Sequence, residues 1–400
     1  MLPHRNAVSS VDDFLQALNS MASSFQIAMV AGEASGDLLS SLLIQGLQTR
    51  WPQVDLIGIG GPKMDQLGFD SWWPSHKLAV RGYVEVLKHY REITGIRSQL
   101  RWRLVNHPPS VFIGVDAPDF NLDLSRALKR KGIPTVHFVC PSVWAWRANR
   151  LKTLGESTDH VLCLFPFEPE LLAGHGIDAT YVGHPVAQII PAHVDKVLAK
   201  QKLNIEDHRL VLGLLPGSRF SEIQQLTARF IHAAAILERL HPNLTVVIPA
   251  APGLKQSLEK LIQSLPKLRD LKIIEGKSHD VMAGADILLV ASGTATLEAA
   301  LFKCPMVIAY AMPWLSWEII RRQRLQKWVG LPNILCRDFV VPELLQSEAS
   351  PTALAAALQS WIDQPERVEA MKRQFSLLHQ TLSKETALLA TNAIEKILVR

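Results

Sequence analysis

Short runs of consecutive apolar residues alternate along the chain with segments whose apolar positions recur every three or four residues. Runs of the first kind suit strands buried on both faces, and segments of the second kind suit amphipathic crossover helices. In the first half, strands are predicted at Phe25–Ala31, Val54–Ile59, Val111–Val115, Thr135–Val139, His160–Leu164 and Thr180–Val182. Helices are predicted between them at Leu38–Thr49, Tyr83–Val105 and Leu122–Lys131. After His184-Pro185 the pattern turns polar and fades until Leu210, which predicts a linker over 187–209. The alternation then restarts, with strands at Leu210–Leu215, Leu244–Pro249, Leu271–Ile274, Ile287–Val290 and Met306–Ala309. The helices predicted there are Glu222–Leu240, Leu254–Ser264, Ser278–Ala283 and Thr294–Phe302. From Pro342 onward only helices are signalled, ending in Pro365–Arg400.

The expected fold class is therefore α/β: two doubly wound, Rossmann-like parallel-sheet domains facing a cleft, with a helical C-terminal tail. The expected bounds are 25–186 for the first domain and 210–375 for the second, with a last helix over 376–400 that swaps or crosses back. Residues 1–24 read as a disordered polar extension without the apolar core of a signal peptide, and Met21 is a candidate start.

Composition sharpens this picture in three places. A length of 400 residues exceeds what one core usually supports, and 48% hydrophobic with 20% charged residues is globular. The net charge of +5, from 42 basic and 37 acidic residues, is too mild for a nucleic-acid binder but leaves anionic small molecules and membrane surfaces open. Cys140, Cys163, Cys304 and Cys336 lie in or beside apolar stretches without zinc or CxxC spacing, so they read as reduced packing residues. No metal site is expected, because His137, His160 and His184 lack ligand spacing and no DxD motif occurs.

Candidate chemistry lies where predicted strands end. Leu215-Pro216-Gly217-Ser218-Arg219, followed by Glu222, turns from a buried strand into a helix. Free N–H groups and the dipole at that helix start, the permissive Gly217 and the forked cation of Arg219 suit a phosphorylated ligand. An ordinary turn with a surface arginine is the competing reading. Ala291-Ser292-Gly293-Thr294-Ala295 repeats the design, and Glu298 one turn further can accept both hydroxyls of a ribose. A simple helix cap with a dipole-favoured glutamate is the alternative there.

The first half differs. Gly32-Glu33-Ala34-Ser35-Gly36-Asp37 lacks GxGxxG spacing and sets two acids where a pyrophosphate would be repelled, so it suits a neutral, hydroxyl-rich ligand. In Gly114-Val115-Asp116-Ala117-Pro118-Asp119-Phe120, Asp116 ends a buried strand and can act as a general base, while Asp119 fits a helix cap better. Pro141-Ser142-Val143-Trp144-Ala145-Trp146-Arg147 is expected to pack one tryptophan and line a sugar or lipid site with the other. Two segments, Tyr83–Val105 with Trp102 and Trp314–Trp328 with Trp314, Trp317 and Trp328, are both basic and aromatic. Each reads either as a solvated helix on the core or as an amphipathic helix on an anionic membrane.

In this order, the motifs resemble the lipid-A-disaccharide synthase family, inverting glycosyltransferases of the GT-B architecture. The resemblance runs from Phe25 to the C-terminus. It is carried by Val30–Asp37, Gly60–Met64, Ala79–Leu87, Gly114–Phe120, Pro141–Arg147, Val182–Pro185, Leu214–Arg219, Ala291–Glu298 and Leu331-Pro332-Asn333. It implies transfer of a sugar from UDP-2,3-diacylglucosamine to the 6-hydroxyl of 2,3-diacylglucosamine 1-phosphate (lipid X). The products are the β-1,6-linked lipid A disaccharide 1-phosphate and UDP, a step toward the lipopolysaccharide of the Gram-negative outer membrane. No cofactor is implied. The implied location is cytoplasmic and peripheral on the inner membrane, with a homodimer through C-terminal exchange as one arrangement of the tail.

The implied diphosphate site comprises Gly217, Ser218, Arg219, Ser292, Gly293 and Thr294, with Glu298 on the ribose and Asn333 on uracil or diphosphate. Asp116 is the expected base, with Glu33, Asp37 and Asp119 as substitutes, and Trp102, Trp314, Trp317 and Trp328 are the expected acyl- or membrane-facing residues. A UDP-sugar 2-epimerase of similar architecture and a non-catalytic UDP-sugar-binding protein are the competing functions.

Overall fold

The computed structural model describes residues 25–32, 34–78, 83–145, 150–312, 317–318 and 325–399, with the backbone alone at Ala34 and over 83–90. The 1–24 extension, Glu33, the Ala79–Gly82 stretch, Trp146, Arg147 and Trp314 lie outside the described residues. The chain forms two compact units, one comprising residues up to Pro185 together with Lys384–Arg400, the other Val186–Ser383.

The first unit runs β1 (Gln26–Ala31), α1 (Ala34–Arg50), β2 (Asp55–Gly60), α2 (Pro62–Asp65), β3 (Asp70–Pro74) and α3 (Tyr83–Asn106). It continues with β4 (Val111–Val115), α4 (Pro118–Lys129), β5 (Thr135–Phe138), α5 (Arg150–Ser157), β6 (His160–Cys163), α6 (Glu168–Ala173) and β7 (Ala179–Tyr181). All seven strands are parallel, in the order β3-β2-β1-β4-β5-β6-β7. Residues 27–31 of β1 and all of β4 are buried. That is why these strands read as unbroken apolar runs: helices cover both faces of the sheet. Strand order reverses between β1 and β4, where Ala31 pairs with Val115. Gly32 and Asp116 therefore leave the sheet side by side.

The second unit contains α7 (Pro185–Ile189), α8 (Lys196–Lys202), β8 (Leu210–Leu215), α9 (Phe220–Leu240), β9 (Leu244–Ala250), α10 (Lys255–Ile262) and β10 (Leu271–Glu275). Then come α11 (Ser278–Gly284), β11 (Ile287–Ala291), α12 (Thr294–Leu301), β12 (Met306–Tyr310), α13 (Leu331–Cys336), β13 (Glu343–Leu345), α14 (Pro351–Asp363) and α15 (Pro365–Leu382). Its six-stranded parallel sheet has the order β10-β9-β8-β11-β12-β13, reversing between β8 and β11. Helix α9 shows how the pattern folds: Ile223, Leu226, Phe230, Ala234 and Leu237, spaced three or four apart, form its buried face.

Three expectations are corrected. The polar 187–209 segment is an ordered part of the second unit. Within it, Asp195 caps α8 by accepting from the Leu198 N–H at 3.0 Å. The buried side of α8 includes Lys200, whose ammonium donates to the Asp207 and Arg209 carbonyls at 2.9 Å each and pairs with Asp286 at 3.3 Å. A helix that buries a lysine gives no apolar stripe. The region after Pro342 is not wholly helical, because β13 adds a short, half-buried strand to the sheet edge. The final helix is two helices, α15 and α16 (Thr386–Leu398), and the second belongs to the first unit.

Helix α16 docks on α1. Ala390, Ala393, Ile394 and Ile397 join the core formed by Leu39, Leu43 and Leu47, and each buried isoleucine contributes roughly 1.5–3 kcal/mol. The helices meet at Gly46, where a Cβ would lie 2.7 Å from Thr391 Oγ1 and 2.8 Å from the Ala387 carbonyl. Arg50 and Glu395 close the far end with an ion pair at 2.5 Å.

Candidate functional site

Where β8 and β11 part, the second unit opens a cavity of about 470 Å³ at the carboxyl ends of its strands. It is lined by Gly217, Ser218, Arg219, Gly293, Thr294 and Glu298, among others, and doubly wound sheets take ligands at this position. Gly217 has φ +125, and a Cβ on it would lie 2.5 Å from the Cβ of Glu222. Only glycine fits both the conformation and the contact. Glu222 fills that space for a reason: Oε2 accepts from the backbone N–H groups of Ser218 at 3.1 Å and Arg219 at 3.3 Å, and Oε1 lies 3.2 Å from the Arg219 guanidinium. The donors expected to face a diphosphate are thus held by the protein's own carboxylate.

The second turn is more open. The Ser292 N–H donates to the Ala309 carbonyl at 3.0 Å and its hydroxyl to the Val329 carbonyl at 3.2 Å, so both donors of Ser292 are engaged. The N–H groups of Gly293, Thr294 and Ala295 have no partner among the described residues. They stand at the positive end of α12, on the cavity wall. Glu298 is 3.0 Å from Nε2 of His279, whose pKa is raised by that hydrogen bond. His279 also packs on Phe302, with ring centroids 5.4 Å apart.

Asn333 is placed differently from the expectation. It is fully buried, and its amide is consumed internally. Nδ2 donates to the Val341 carbonyl at 2.9 Å and to Glu343 at 2.8 Å, while Oδ1 accepts from the N–H groups of Val340 and Val341. In this structure it ties α13 to the β13 edge and offers nothing to a ligand.

In the first unit, the loops after β1 and β4 are pressed together. A Cβ on Gly32 would stand 2.9 Å from that of Ala117. Asp116 and Ala117 both adopt left-handed backbone, with φ +50 and +42. Asp119 pairs with Arg150. Asp37, expected among the reactive acids, is buried, and its carboxylate accepts the N–H groups of Lys63 and Met64 at 3.1 Å each. It caps α2, and Gly61 leaves room for it: a Cβ there would meet the carboxyl carbon at 2.5 Å. Asp37 is thus occupied in holding the fold.

Trp144 packs under its loop, as expected for one of the two tryptophans there. Its indole donates to Glu168 at 3.0 Å, and its ring meets Phe165 and Phe167 edge-on. Burial pushes the Glu168 carboxyl up to about 7. Trp102 is 67% exposed but lies beside Gln26, the first residue of β1. That is the opposite end of the strands from Gly32 and Asp116, which removes Trp102 from the acyl-facing group next to those loops. Trp317 and Trp328 are half-buried, and Lys327 sits 5.1 Å over the Trp328 ring. The partners of these candidate residues that the motifs did not single out are His279 on Glu298, Asn121 on Asp116 and Glu168 on Trp144, together with the part played by Glu222. Only Glu222 carried a signal, the three-residue spacing of a capping box after Arg219.

Two Rossmann-like domains with these switch-point loops define the fold class, the two-domain GT-B architecture. Among solved structures the chain is similar to UDP-GlcNAc 2-epimerase from Neisseria meningitidis bound to UDP-GlcNAc, with a TM-score of 0.59, 15% identity and coverage of 89% of this chain and 99% of that one. A likeness at that identity is one of fold, so it lends the epimerase reading no support. The model of the lipid-A-disaccharide synthetase family matches residues 27–397. Lipid-A-disaccharide synthase of Albidiferax ferrireducens is 54% identical over 385 residues, covering 95% of this chain and 99% of that protein. That of Verminephrobacter eiseniae is 54% identical over 383 residues, covering 94% and 98%. The chain belongs to the lipid-A-disaccharide synthetase family, and its function is the synthesis of the lipid A disaccharide.

Proposed function

We propose that the chain transfers 2,3-diacylglucosamine from its UDP derivative to the 6-hydroxyl of 2,3-diacylglucosamine 1-phosphate, with inversion at the sugar carbon. The observation that carries this reading is the second unit's cavity, lined by both Arg219 and the open N-terminus of α12. As UDP departs, negative charge grows on its diphosphate. Fixed donors aimed at that charge lower the barrier without reorganising, and in this reading no metal ion is required. Glu222 gives up Arg219 and the Ser218 and Arg219 amides to the diphosphate when the donor binds. Glu298, steadied by His279, takes the ribose hydroxyls. Asn333 contributes by fixing the chain behind the site.

In the first unit Asp116 removes the proton from the acceptor 6-hydroxyl as that oxygen attacks the sugar carbon. Asp37 is less suited, because it is buried beneath the Lys63 and Met64 N–H groups, whereas Asp116 is part-exposed. Both substrates are acylated, which places the reaction at the cytoplasmic face of the inner membrane, with Trp317 and Trp328 toward the lipid. No described helix is long and apolar enough to cross a membrane. The α16 contact on α1 can also be made by a second copy's tail, giving a homodimer.

Thin-layer analysis with radiolabelled acylated acceptor tests the transfer. A disaccharide product, and UDP release only when acceptor is added, support it. UDP release without acceptor, with no labelled disaccharide, would return the reading to an epimerase.

A further inference from the structure

Asp116 occupies a conformation that needs an explanation. It and Ala117 are consecutive left-handed residues, neither is glycine, and Pro118 follows at once. L-residues avoid this region, and such strain persists only where surrounding groups over-determine it. The Asp116 N–H is fixed to the Phe138 carbonyl at 2.9 Å, and the Ala117 carbonyl accepts from Phe120 and Asn121 at 3.0 Å each. These bonds hold the ends of the turn.

A further restraint, among the described residues, comes from the Asn121 side chain. Asn121 projects from α4 and is fully buried. Its amide nitrogen lies 2.9 Å from the Asp116 carbonyl, 3.3 Å from the Val115 carbonyl and 3.4 Å from the Val30 carbonyl. One NH₂ group thus spans the ends of β1 and β4 and the strained residue itself. The space it needs is supplied by Gly114, where a Cβ would come 2.9 Å from the Asn121 Cβ. Few side chains can replace it. Aspartate would turn oxygen toward three carbonyl oxygens, and serine is short and has a single donor.

We propose that Asn121 is a positioning residue for sugar transfer: it holds the backbone of Asp116 in the left-handed turn that aims its carboxylate at the acceptor hydroxyl. Being buried, Asn121 touches no substrate and acts only through Asp116. The proposal rests on the reading of Asp116 as the base. Displacing a reacting group by about 1 Å costs on the order of 100-fold in rate, which sets the size of effect to expect.

The test is a double-mutant cycle on the full chain, with turnover and UDP affinity measured for wild type, Asn121→Asp, Asp116→Asn and the pair. Asn121→Asp is expected to lower kcat by about 30- to 100-fold while UDP affinity stays within about twofold. In the Asp116→Asn background it is expected to add no more than about twofold. If Asn121→Asp does not fold, Gly114→Ala displaces the same amide, and the same non-additive loss is expected. Full turnover in Asn121→Asp overturns the proposal. So does a loss that multiplies in the Asp116→Asn background, since the residue would then act on structure at large while Asp116 kept its role. Turnover retained in Asp116→Asn alone overturns the reading of the base, and the proposal with it.

Discussion

The two units share one scaffold and use it in opposite ways. Each reverses strand order beside its first strand, between β1 and β4 or between β8 and β11, and each presents two loops there. In the second unit those loops are made of small residues around a cavity, with helix N-termini and a guanidinium on its wall. In the first they carry acids, and glycines in and around them serve close packing: Gly32 against Ala117 in the loops, Gly114 of β4 against Asn121, and Gly61 after β2 against Asp37. The topology fixes where a ligand can go, and the loop residues decide whether the place suits an anion or a hydroxyl. The strain differs as well. Gly217 absorbs the positive φ of the second unit's turn at little cost, whereas Asp116 and Ala117 bear it as L-residues.

The largest effect expected from this contrast is on the acid side. Asp116→Asn should cut turnover by about 10²- to 10⁴-fold and leave UDP affinity unchanged, as read by steady-state kinetics and calorimetry. On the anion side, Arg219→Ala should weaken UDP binding by about 10- to 100-fold, the usual cost of charge-assisted hydrogen bonds. Unchanged UDP affinity would take Arg219 out of the site. Glu222→Gln should act the other way. It removes the internal anion that holds Arg219 and the Ser218 and Arg219 amides, so UDP should bind about 3- to 10-fold more tightly.

The smallest effect concerns protons in the first unit. Unfolded, Glu168 takes its proton near 4.5, and folded, near 7. Between those values the native state binds more protons, so this group's contribution to stability rises as pH falls through that window. His137 and His184, pulled down to about 4 by burial, act in the opposite direction below 6.5. The informative quantity is therefore the difference in melting temperature between wild type and Glu168→Gln. It should move in favour of wild type as pH falls from about 7 toward about 5. A flat difference would mean that Glu168 is ionised in the folded protein.

Most of the sheet was legible because its strands are buried on both faces and read as unbroken apolar runs. Their ends fall within a residue or two of expectation, as at Val111–Val115 and Leu210–Leu215. The edge strands β3 and β13 were not legible, since each is mostly half-buried and lacks such a run. Helix α8 was hidden because its buried contact is the ammonium of Lys200. The loops of the site were legible as turns with suitable donors, but their partners were not. Glu222 on the Ser218 amide is a near-sequence contact with a recognisable spacing. His279 on Glu298 and Asn121 on Val30 are tertiary contacts 19 and 91 residues apart, beyond any local pattern. Asn333 shows the same limit from the other side, because its place in Leu331-Pro332-Asn333 says nothing of the four hydrogen bonds that bury it.

The central claim is a division of labour, with the nucleotide diphosphate held by the second unit and the acceptor by the first. A crystal structure with UDP tests it most directly. The diphosphate is expected against Arg219 and the N–H groups of Gly293 and Thr294, with the Glu222 carboxylate turned away from Ser218. A diphosphate lodged instead against Gly32–Asp37, with Glu222 still bound to Ser218 and Arg219, would contradict the account.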